Sequence, residues 1–539
     1  MIDDTTVWIF RAVASLLCAC FFFVATHRLV GVMQQCGYKN KKFFSWFKQE
    51  DNVFFSRMLF WSILSITSTA LFIFVFYFLQ ETAALAMGGI PFFGLAILFY
   101  LIDKRYALKV QANQSGRWKR LCVAYAVMIA LLVFGLICLC SLLKPLLEMF
   151  FGWLQAMRFL PLCFMPLLLP VALALANAIV APFENVRNEK FVKRAGQVLN
   201  ESKIVKVGIV GSYGKTSVKN ILKTLLEERY QTVATPASYN TPIGVAKTVH
   251  SAEFKKAEVF LCEMGARYIG DIRELCDLVQ PDYILFTGVC AQHVQTFGGE
   301  EQVFTAKCEA LSSTARLAVC ADSLQEKIAE NYPELFEKCR FVGSPESVNF
   351  AAAKTEITLT ICGECLSAEV PLLGEAAAEN VLLAVRMAEV LGLTKDEILA
   401  GLAKVKPIAH RLELTQKDGV YILDDAYNCN ERGAKIAIDA LGRFEGKKYI
   451  VTPGIVETGV LHEAINGKLG QLLATAKLDG VLLVGETQAK VIVDGYKNEG
   501  GNMDALSVLP SLQDAVNALK GKLSAGDCVL FMNDLPDVI

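Results

Sequence analysis

The run Gly211-Ser212-Tyr213-Gly214-Lys215-Thr216-Ser217 carries the most specific chemistry in the chain. It follows the apolar stretch Ile204–Val210 and opens a segment, Thr216–Arg229, whose Val218, Ile221, Leu222, Leu225 and Leu226 fall on one helical stripe. Strand, glycine turn and helix N-terminus in that order make a phosphate cradle. The glycines let backbone N–H groups wrap an anion, and the helix end adds partial positive charge. Lys215 can reach the outer phosphates of a nucleotide, and the Thr216 hydroxyl can bind Mg²⁺. A full Walker spacing needs another glycine at position 209, which is Ile209, so this is the shorter G-x-x-G-K-T-S form. A glycine turn with an incidental lysine is the competing reading, and the strand–loop–helix context disfavours it.

Three further residues are bland one at a time. Glu263 ends the apolar run AEVFLCE, where an acid can hold Mg²⁺ beside a nucleotide, although acids often end strands. His293 follows the next strand, on the same expected edge of the sheet; a lone histidine is ordinarily structural. Lys307 lies in the amphipathic stretch VFTAKCEALSS and, by spacing alone, reads as a solvated helix lysine.

The elements that must position these residues alternate after residue 200. Val259–Cys262 and Tyr283–Phe286 read as short buried strands, and Asn380–Leu391 as a helix stopped by Gly392. The alternation predicts a P-loop domain with a parallel sheet and helices on both faces, with ligands at the C-terminal strand ends. Thr355–Cys362 and Cys365–Leu372 read as a hairpin joined through Gly363-Glu364, which makes Cys362-x-x-Cys365 a hairpin neck rather than half of a zinc site. A second, Rossmann-like α/β region begins near His410, with strands at Val420–Leu423, Lys448–Val451, Val481–Val484 and Val529–Phe531.

The first third differs. The 539 residues are 54% hydrophobic, and the apolar excess sits before residue 184. Met58–Leu79, Ala83–Ile102 and Leu121–Leu143 carry no charge. Phe159–Ala181 is broken by Pro161, Pro166 and Pro170, and a window from Val7 to Thr26 contains Arg11. Each approaches the roughly 20 apolar residues that cross a bilayer. The chain opens Met1-Ile2-Asp3-Asp4 rather than on a basic region, which favours an anchor over a signal peptide. Five spans with the N-terminus outside place the basic clusters Arg28–Arg57, Lys104–Arg120 and Arg187–Arg194 in the cytoplasm, while Lys144 and Arg158 fall on the other side. Pro145–Met157 would lie in the interface. No span carries a midplane acid or base, so an anchor or lipid-facing platform is expected rather than a transporter. The expected organisation is a helical transmembrane domain over 1–183, a central ATPase domain over 184–408 and a C-terminal domain over 409–539. With 53 basic and 54 acidic residues the chain has no excess positive charge for nucleic acid. Its 17 cysteines are scattered and read as reduced.

Taken together, Gly211–Ser217, Asn240-Thr241-Pro242-Ile243-Gly244, Glu263-Met264-Gly265-Ala266, His293, Ala306-Lys307, Asn380, His410-Arg411 and Asp424-Asp425-Ala426-Tyr427-Asn428 resemble, in order, the motifs of the Mur ligase family, ATP-dependent amide-forming enzymes of bacterial cell-wall synthesis. The resemblance covers about residues 185–539, and the strings EMGA and DDAYN point to one branch. It implies that Gly211, Ser212, Tyr213, Gly214, Lys215, Thr216 and Ser217 bind ATP phosphates. Thr216 and Glu263 would hold one Mg²⁺ and His293 a second, and Lys307 would match a lysine carbamylated in the family. Asn380 would lie at the adenine, with Arg411 and Asp425 contacting nucleotide from the C-terminal domain. The hinge near Pro407–Arg411 would let that domain close. Two departures accompany it. Ala376 stands where the family often has histidine, and membrane spans take the place of the soluble domain that grips a UDP-sugar.

The resulting expectation is a multi-pass enzyme of the bacterial cell membrane with cytoplasmic catalytic domains. It would join a carboxylate on a cell-wall peptide or lipid-linked precursor to an amino acid or dipeptide. A membrane-anchored nucleotide-binding scaffold for an envelope enzyme is the alternative, against which the retention of Lys215, Glu263, His293 and Lys307 argues. An ATP-driven transporter would show paired nucleotide signatures or embedded polar sites, and the sequence shows neither.

Overall fold

The computed structural model describes residues 4–47, 60–64, 66–67, 97, 101, 114–147, 164–236, 239–290, 299–351, 353–427, 429–456, 458, 461–485 and 489–533. The chain divides into two compact units, Met1–Asn188 and Glu189–Leu535.

The first unit is helical, with helices at Asp4–Thr26, Arg28–Gln35, Asn40–Phe47 and Gly116–Leu147 and the start of a long helix, Met165–Glu201. Phe22, Leu29, Met33, Phe43, Tyr125, Ile129 and Leu169 form its core. The buried Asn177 amide donates to Tyr38 O (3.0 Å) and to Asn40 Oδ1 (2.8 Å), which satisfies a polar group among apolar neighbours. Other faces stay apolar but exposed: Val123, Val127 and Leu131 recur every fourth residue on one helix, and Val171, Leu175 and Ile179 on the other. Gly116–Leu139 and Met165–Glu201 are long and apolar enough to cross a membrane, and the pair Ser15–Thr26 and Arg28–Gln35, bent by 54°, makes a third candidate if it is one span. The expected span Leu121–Leu143 falls inside a helix. Pro170 does not break the window Phe159–Ala181; the helix passes both Pro170 and Pro182 and runs to Glu201. Each internal proline removes one ladder hydrogen bond, and the flanking turns carry the helix through. Met58–Leu79, Ala83–Ile102 and Pro145–Met157 lie mostly outside the described residues.

The second unit contains three sheets. The first consists of β1 (Val205–Val210), β2 (Thr232–Ala234), β3 (Val259–Glu263), β4 (Tyr283–Phe286), β5 (Leu317–Ala321) and β6 (Cys339–Val342), all parallel in the order β2-β3-β1-β4-β5-β6. β1 is followed in sequence by strands on one side and then by β4 on the other, so its C-terminal end is the switch point where a crevice forms. Every β1 residue after Val205 is buried. The Val218, Ile221, Leu222 and Leu225 stripe of the following helix, Lys215–Leu226, packs into the same core.

The second sheet is antiparallel: β7 (Ser347–Phe350), β8 (Thr355–Ile361) and β9 (Glu364–Val370). β8 and β9 turn at Cys362-Gly363, so the Cys-x-x-Cys pair is a hairpin neck, as its flanking strands predict. The third comprises β10 (Glu413–Lys417), β11 (Val420–Asp425), β12 (Lys448–Thr452), β13 (Gly480–Val484), β14 (Leu506–Leu509) and β15 (Cys528–Met532) in the order β10-β11-β15-β12-β13-β14, with only the β10–β11 pair antiparallel.

The helix expected at Asn380–Leu391 begins five residues earlier, at Glu375. The alanines at 376–378 are good helix formers, and the chain enters through Gly374 at φ +79°, a conformation that only glycine adopts freely. Asn380 therefore sits one full turn inside the helix rather than at its start.

Candidate active site

The phosphate loop is built where β1 ends. Gly211 (φ +149°) passes so close to Thr287 and Gly288 that a Cβ would strike both. Gly214 (φ +74°) is the N-cap of the helix Lys215–Leu226, and a Cβ there would come within 2.5 Å of Asn380 Oδ1. Glycine is thus required twice for backbone shape and again for proximity, and the second clash places Asn380 directly on the loop. Ser212 N donates to Gly288 O (2.8 Å), and the Thr287 hydroxyl donates to Tyr213 O, so the end of β4 braces the turn.

Lys215 Nζ donates to Gly211 O (2.6 Å) and Ser212 O (3.2 Å), which holds the ammonium over its own loop. Burial pushes its pKa down, and the charge of Glu263 opposes that shift. Thr216 Oγ1 donates to Glu263 Oε2 (3.0 Å), bringing together the two oxygen groups expected to hold Mg²⁺. Register places Glu263 beside Ile209, at the C-terminal edge of the sheet. Among the described residues no cluster of three His, Cys, Asp or Glu side chains could hold a metal. A hydroxyl and one carboxylate nonetheless fit Mg²⁺, which takes few protein ligands and completes its shell with phosphate and water.

Lys307, on the helix Glu300–Cys308, is not the solvated lysine its spacing suggests. It is 4% exposed. Desolvation pushes its amine down to about 7, and the like charge of Lys215 acts in the same direction. The apolar periodicity of this short helix is too weak to show which face is inside, and the sheet decides it. His293 and Asn428 lie outside the described residues.

Arg411, in the bend before β10, and Asp425, the last residue of β11, come from the C-terminal part of the chain. Arg411 stacks on Tyr427, with its guanidinium carbon 4.2 Å from the ring centroid. It sits between His410 (φ +59°) and Leu412 (φ +50°), two non-glycine residues in left-handed backbone, so the segment expected to hinge is tightly kinked. Leu412 N donates to Asp425 Oδ1 (3.1 Å). Burial raises the Asp425 carboxyl to about 7 against the pull of Arg411. Tyr213, Gly214, Asn380, Arg411 and Asp425 line one cavity of about 140 Å³, and Ala376 forms part of its wall.

Several residues here had no signal in the sequence. Lys219 Nζ donates to Glu263 Oε2 (2.9 Å) and to Thr235 O (2.8 Å), and the Thr235 hydroxyl accepts from Glu263 N (3.0 Å). Lys219 sits beside the apolar stripe and reads as a helix-flank lysine until β2 and β3 are in place. Arg432, Glu379 and Cys290 lie around the rim of the site, where only tertiary packing brings them.

The Mur ligase middle-domain model matches residues 209–388, and the Mur ligase glutamate-ligase-domain model matches residues 410–534, together more than half of the chain. The chain belongs to the Mur ligase family. Proteins named UDP-N-acetylmuramoyl-tripeptide–D-alanyl-D-alanine ligase are similar to it. The one from Bacillus subtilis is 27% identical over 331 residues, 60% of this chain and 72% of the relative. The one from Escherichia coli is 28% identical over 338 residues, 59% and 74%. A MurF ligase from Thermotoga maritima, solved in complex with ADP, shares the fold with a TM-score of 0.58 at 24% identity, over 65% of this chain and 81% of that one. As a Mur ligase, the chain is an ATP-dependent ligase with a family requirement for ATP and Mg²⁺.

Proposed function

We propose that this Mur ligase is a membrane-anchored enzyme of cell-wall synthesis. It forms an amide between a peptide-precursor carboxylate and the amine of an amino acid or dipeptide. The observation that carries this reading is the convergence of Lys215, Thr216 and Glu263 at the end of β1, with Asn380 against Gly214 and a buried, charge-depleted Lys307 alongside.

The reaction must bring a carboxylate up to a triphosphate, anion against anion. Lys215 and the loop N–H groups would neutralise and align the phosphates. Thr216 and Glu263 would hold Mg²⁺, with His293 as a candidate for a second site; the ion supplies Lewis-acid neutralisation of the transferring phosphoryl group. The carboxylate oxygen attacks the γ-phosphorus of ATP, the bond to the β,γ-bridging oxygen breaks, and ADP leaves behind an acyl phosphate. The amine then attacks the acyl carbon, loses a proton and expels phosphate. Asn380, Arg411 and Asp425 would grip the nucleoside end. The neutral amine of Lys307 is the form that reacts with carbon dioxide, which supports carbamylation there. A carbamate would turn a buried cation into an anion able to face the metal.

The names of the similar proteins suggest a muramoyl tripeptide and D-alanyl-D-alanine as substrates. The apolar exposed stripes of Gly116–Leu147 and Met165–Glu201 support anchoring in the bilayer, and the basic flanks support a cytoplasmic site. An acceptor carried on a lipid would suit such an anchor. Phosphate release should be measured in membranes with D-alanyl-D-alanine and either a soluble UDP-muramoyl tripeptide or its lipid-linked counterpart. Turnover with either supports the ligase. Equal turnover with both removes the lipid-linked preference, and no turnover with a panel of amino acids and dipeptides rejects the amide-forming reading. A Lys215→Ala variant that fully supports cell growth would favour the scaffold alternative. A reporter fused within residues 80–82 should read outside, and one fused at residue 200 inside.

A further inference from the structure

One turn of the C-terminal lobe makes three contacts with the nucleotide-binding lobe. Asn430 caps the helix Glu431–Leu441, its side chain accepting from Gly433 N (2.8 Å), while its Nδ2 donates to Cys290 Sγ (3.3 Å) beyond β4. Two residues later, Arg432 uses both ends of its guanidinium. Nη1 donates to the Tyr213 hydroxyl (2.6 Å), and Nη2 donates to Glu379 Oε1 (2.5 Å). The same guanidinium lies 4.8 Å from the centroid of the Tyr213 ring.

The two partners are not arbitrary surface groups. Tyr213 lies inside the phosphate loop, two residues before Lys215. Glu379 directly precedes Asn380, which touches Gly214. Tyr213 also has little freedom, since Thr287 donates to its carbonyl and its ring packs where a Cβ on Gly288 would be. Arg432 therefore grips a ring whose position is already fixed to the end of β4. Were the C-terminal lobe to swing away at Pro407–Arg411, the phenol and the Glu379 carboxylate would lose this partner together.

We infer that Arg432 is a positioning residue that couples closure of the C-terminal lobe to the shape of the phosphate loop and of the Asn380 turn. The inference rests on the ATP reading of this site. Coupling of this kind is reciprocal: a contact that favours the closed lobe tightens nucleotide, and bound nucleotide favours the closed lobe by the same factor. The two halves of the contact are unequal. The Arg432 and Glu379 side chains are 38% and 44% exposed, so that ion pair contributes little. The stacked and hydrogen-bonded Tyr213 carries most of the effect. A planar fork serves both partners, and an ammonium cannot do so with one geometry.

The test uses the full chain in nanodiscs, with MgADP binding measured by calorimetry and trypsin cleavage within the linker 403–411 followed with and without MgADP. Arg432→Ala should weaken MgADP about three- to tenfold and abolish the protection of the linker by nucleotide. Tyr213→Phe should weaken binding severalfold, and adding it to Arg432→Ala should cost little more. Glu379→Gln should stay within about twofold, and Arg432→Lys should recover part of the loss. Arg432→Ala binding within about twofold of the parent with normal linker protection overturns the inference, as does additivity of the two substitutions. Should Arg432→Ala fail to fold, Arg432→Lys and Tyr213→Phe carry the same comparison. Should the parent bind no MgADP, the ATP reading fails instead. The nucleotide-free cleavage rates then decide: faster cleavage in Arg432→Ala supports the clamp, and equal rates reject it.

Discussion

Lys219 Nζ lies 2.9 Å from Glu263 Oε2 with both side chains almost fully buried, at 2% and 3% exposure. The same carboxylate oxygen accepts from Thr216, so one atom joins the candidate metal site to a buried cation. At the end of an apolar strand, Lys219 and the Thr216 hydroxyl replace the water that the Glu263 carboxylate has lost, while the Thr235 hydroxyl accepts from the Glu263 backbone N–H.

Removing one partner of such a pair leaves an uncompensated charge, at a cost of about 3–5 kcal/mol. Lys219→Met should therefore lower the melting temperature of the detergent-solubilised chain by about 10 °C. Lys219→Met combined with Glu263→Gln should recover part of that loss, because neither charge is then stranded. A single variant that melts like the parent would show that Lys219 and Glu263 do not depend on one another.

Gly214 predicts a loop defect without a large stability defect. Alanine at φ +74° carries a strain of about 1–2 kcal/mol, and its Cβ would push Asn380 off the loop. Gly214→Ala should weaken MgATP binding at least about tenfold while moving the melting temperature by only a few degrees. Calorimetry beside a melting curve separates the two effects.

Asp425 gives a pH signature. Its carboxyl titrates near 7 when folded, against an ordinary value of 3.8, because burial outweighs the attraction of Arg411. Between those values the folded chain holds a proton that the unfolded chain has released, so this group makes stability fall as pH rises from about 4 to about 7. Asn cannot titrate, so Asp425→Asn should gain stability relative to the parent across that window. The gain should level off above about pH 7 at roughly 2 kcal/mol, about half the full linkage because the residue keeps a part-exposed edge. Nucleotide-free melting curves at half-unit pH intervals would show a constant difference if Asp425 is ionised throughout.

The parts of the site written in backbone requirements were legible in the sequence. Gly211, Gly214 and the strand-to-helix context around Lys215 are local, and Tyr283–Phe286 is a run of four apolar or aromatic residues whose register nothing else disturbs. Val420–Leu423 was legible for the same reason, though β11 continues to Asp425 because a neighbouring strand pairs with it. The three residues of β2 and the alternately exposed β7 carry too little apolar pattern to announce themselves, and the sheet recruits them. The pairing of Lys219 with Glu263, and of Arg432 with Tyr213, joins residues 44 and 219 positions apart. Nothing local marks either lysine or arginine as different from an ordinary helix-surface cation. Lys307 was legible only through its family resemblance, since its burial depends on how the helix Glu300–Cys308 settles against the sheet.

A carbamate on Lys307 would set the pH at which the site can work. Its amine titrates near 7 rather than at 10.5, first because burial disfavours the ammonium and then because Lys215 repels it. Carbon dioxide reacts with the neutral amine alone, and the neutral fraction falls about tenfold for each pH unit below 7. If the carbamate is the working form, kcat/KM in bicarbonate buffer should rise with unit slope up to about pH 7 and flatten above it. Removing carbon dioxide should lower the plateau. Lys307→Arg keeps the cation at every pH and cannot form a stable carbamate, so its activity should fall at least about a hundredfold. The residual rate should lose both the slope and the bicarbonate response. A parent profile flat from pH 5.5 to 8.5, or an arginine variant that keeps the bicarbonate response, would place the titrating group elsewhere and leave Lys307 as a buried cation facing the nucleotide phosphates.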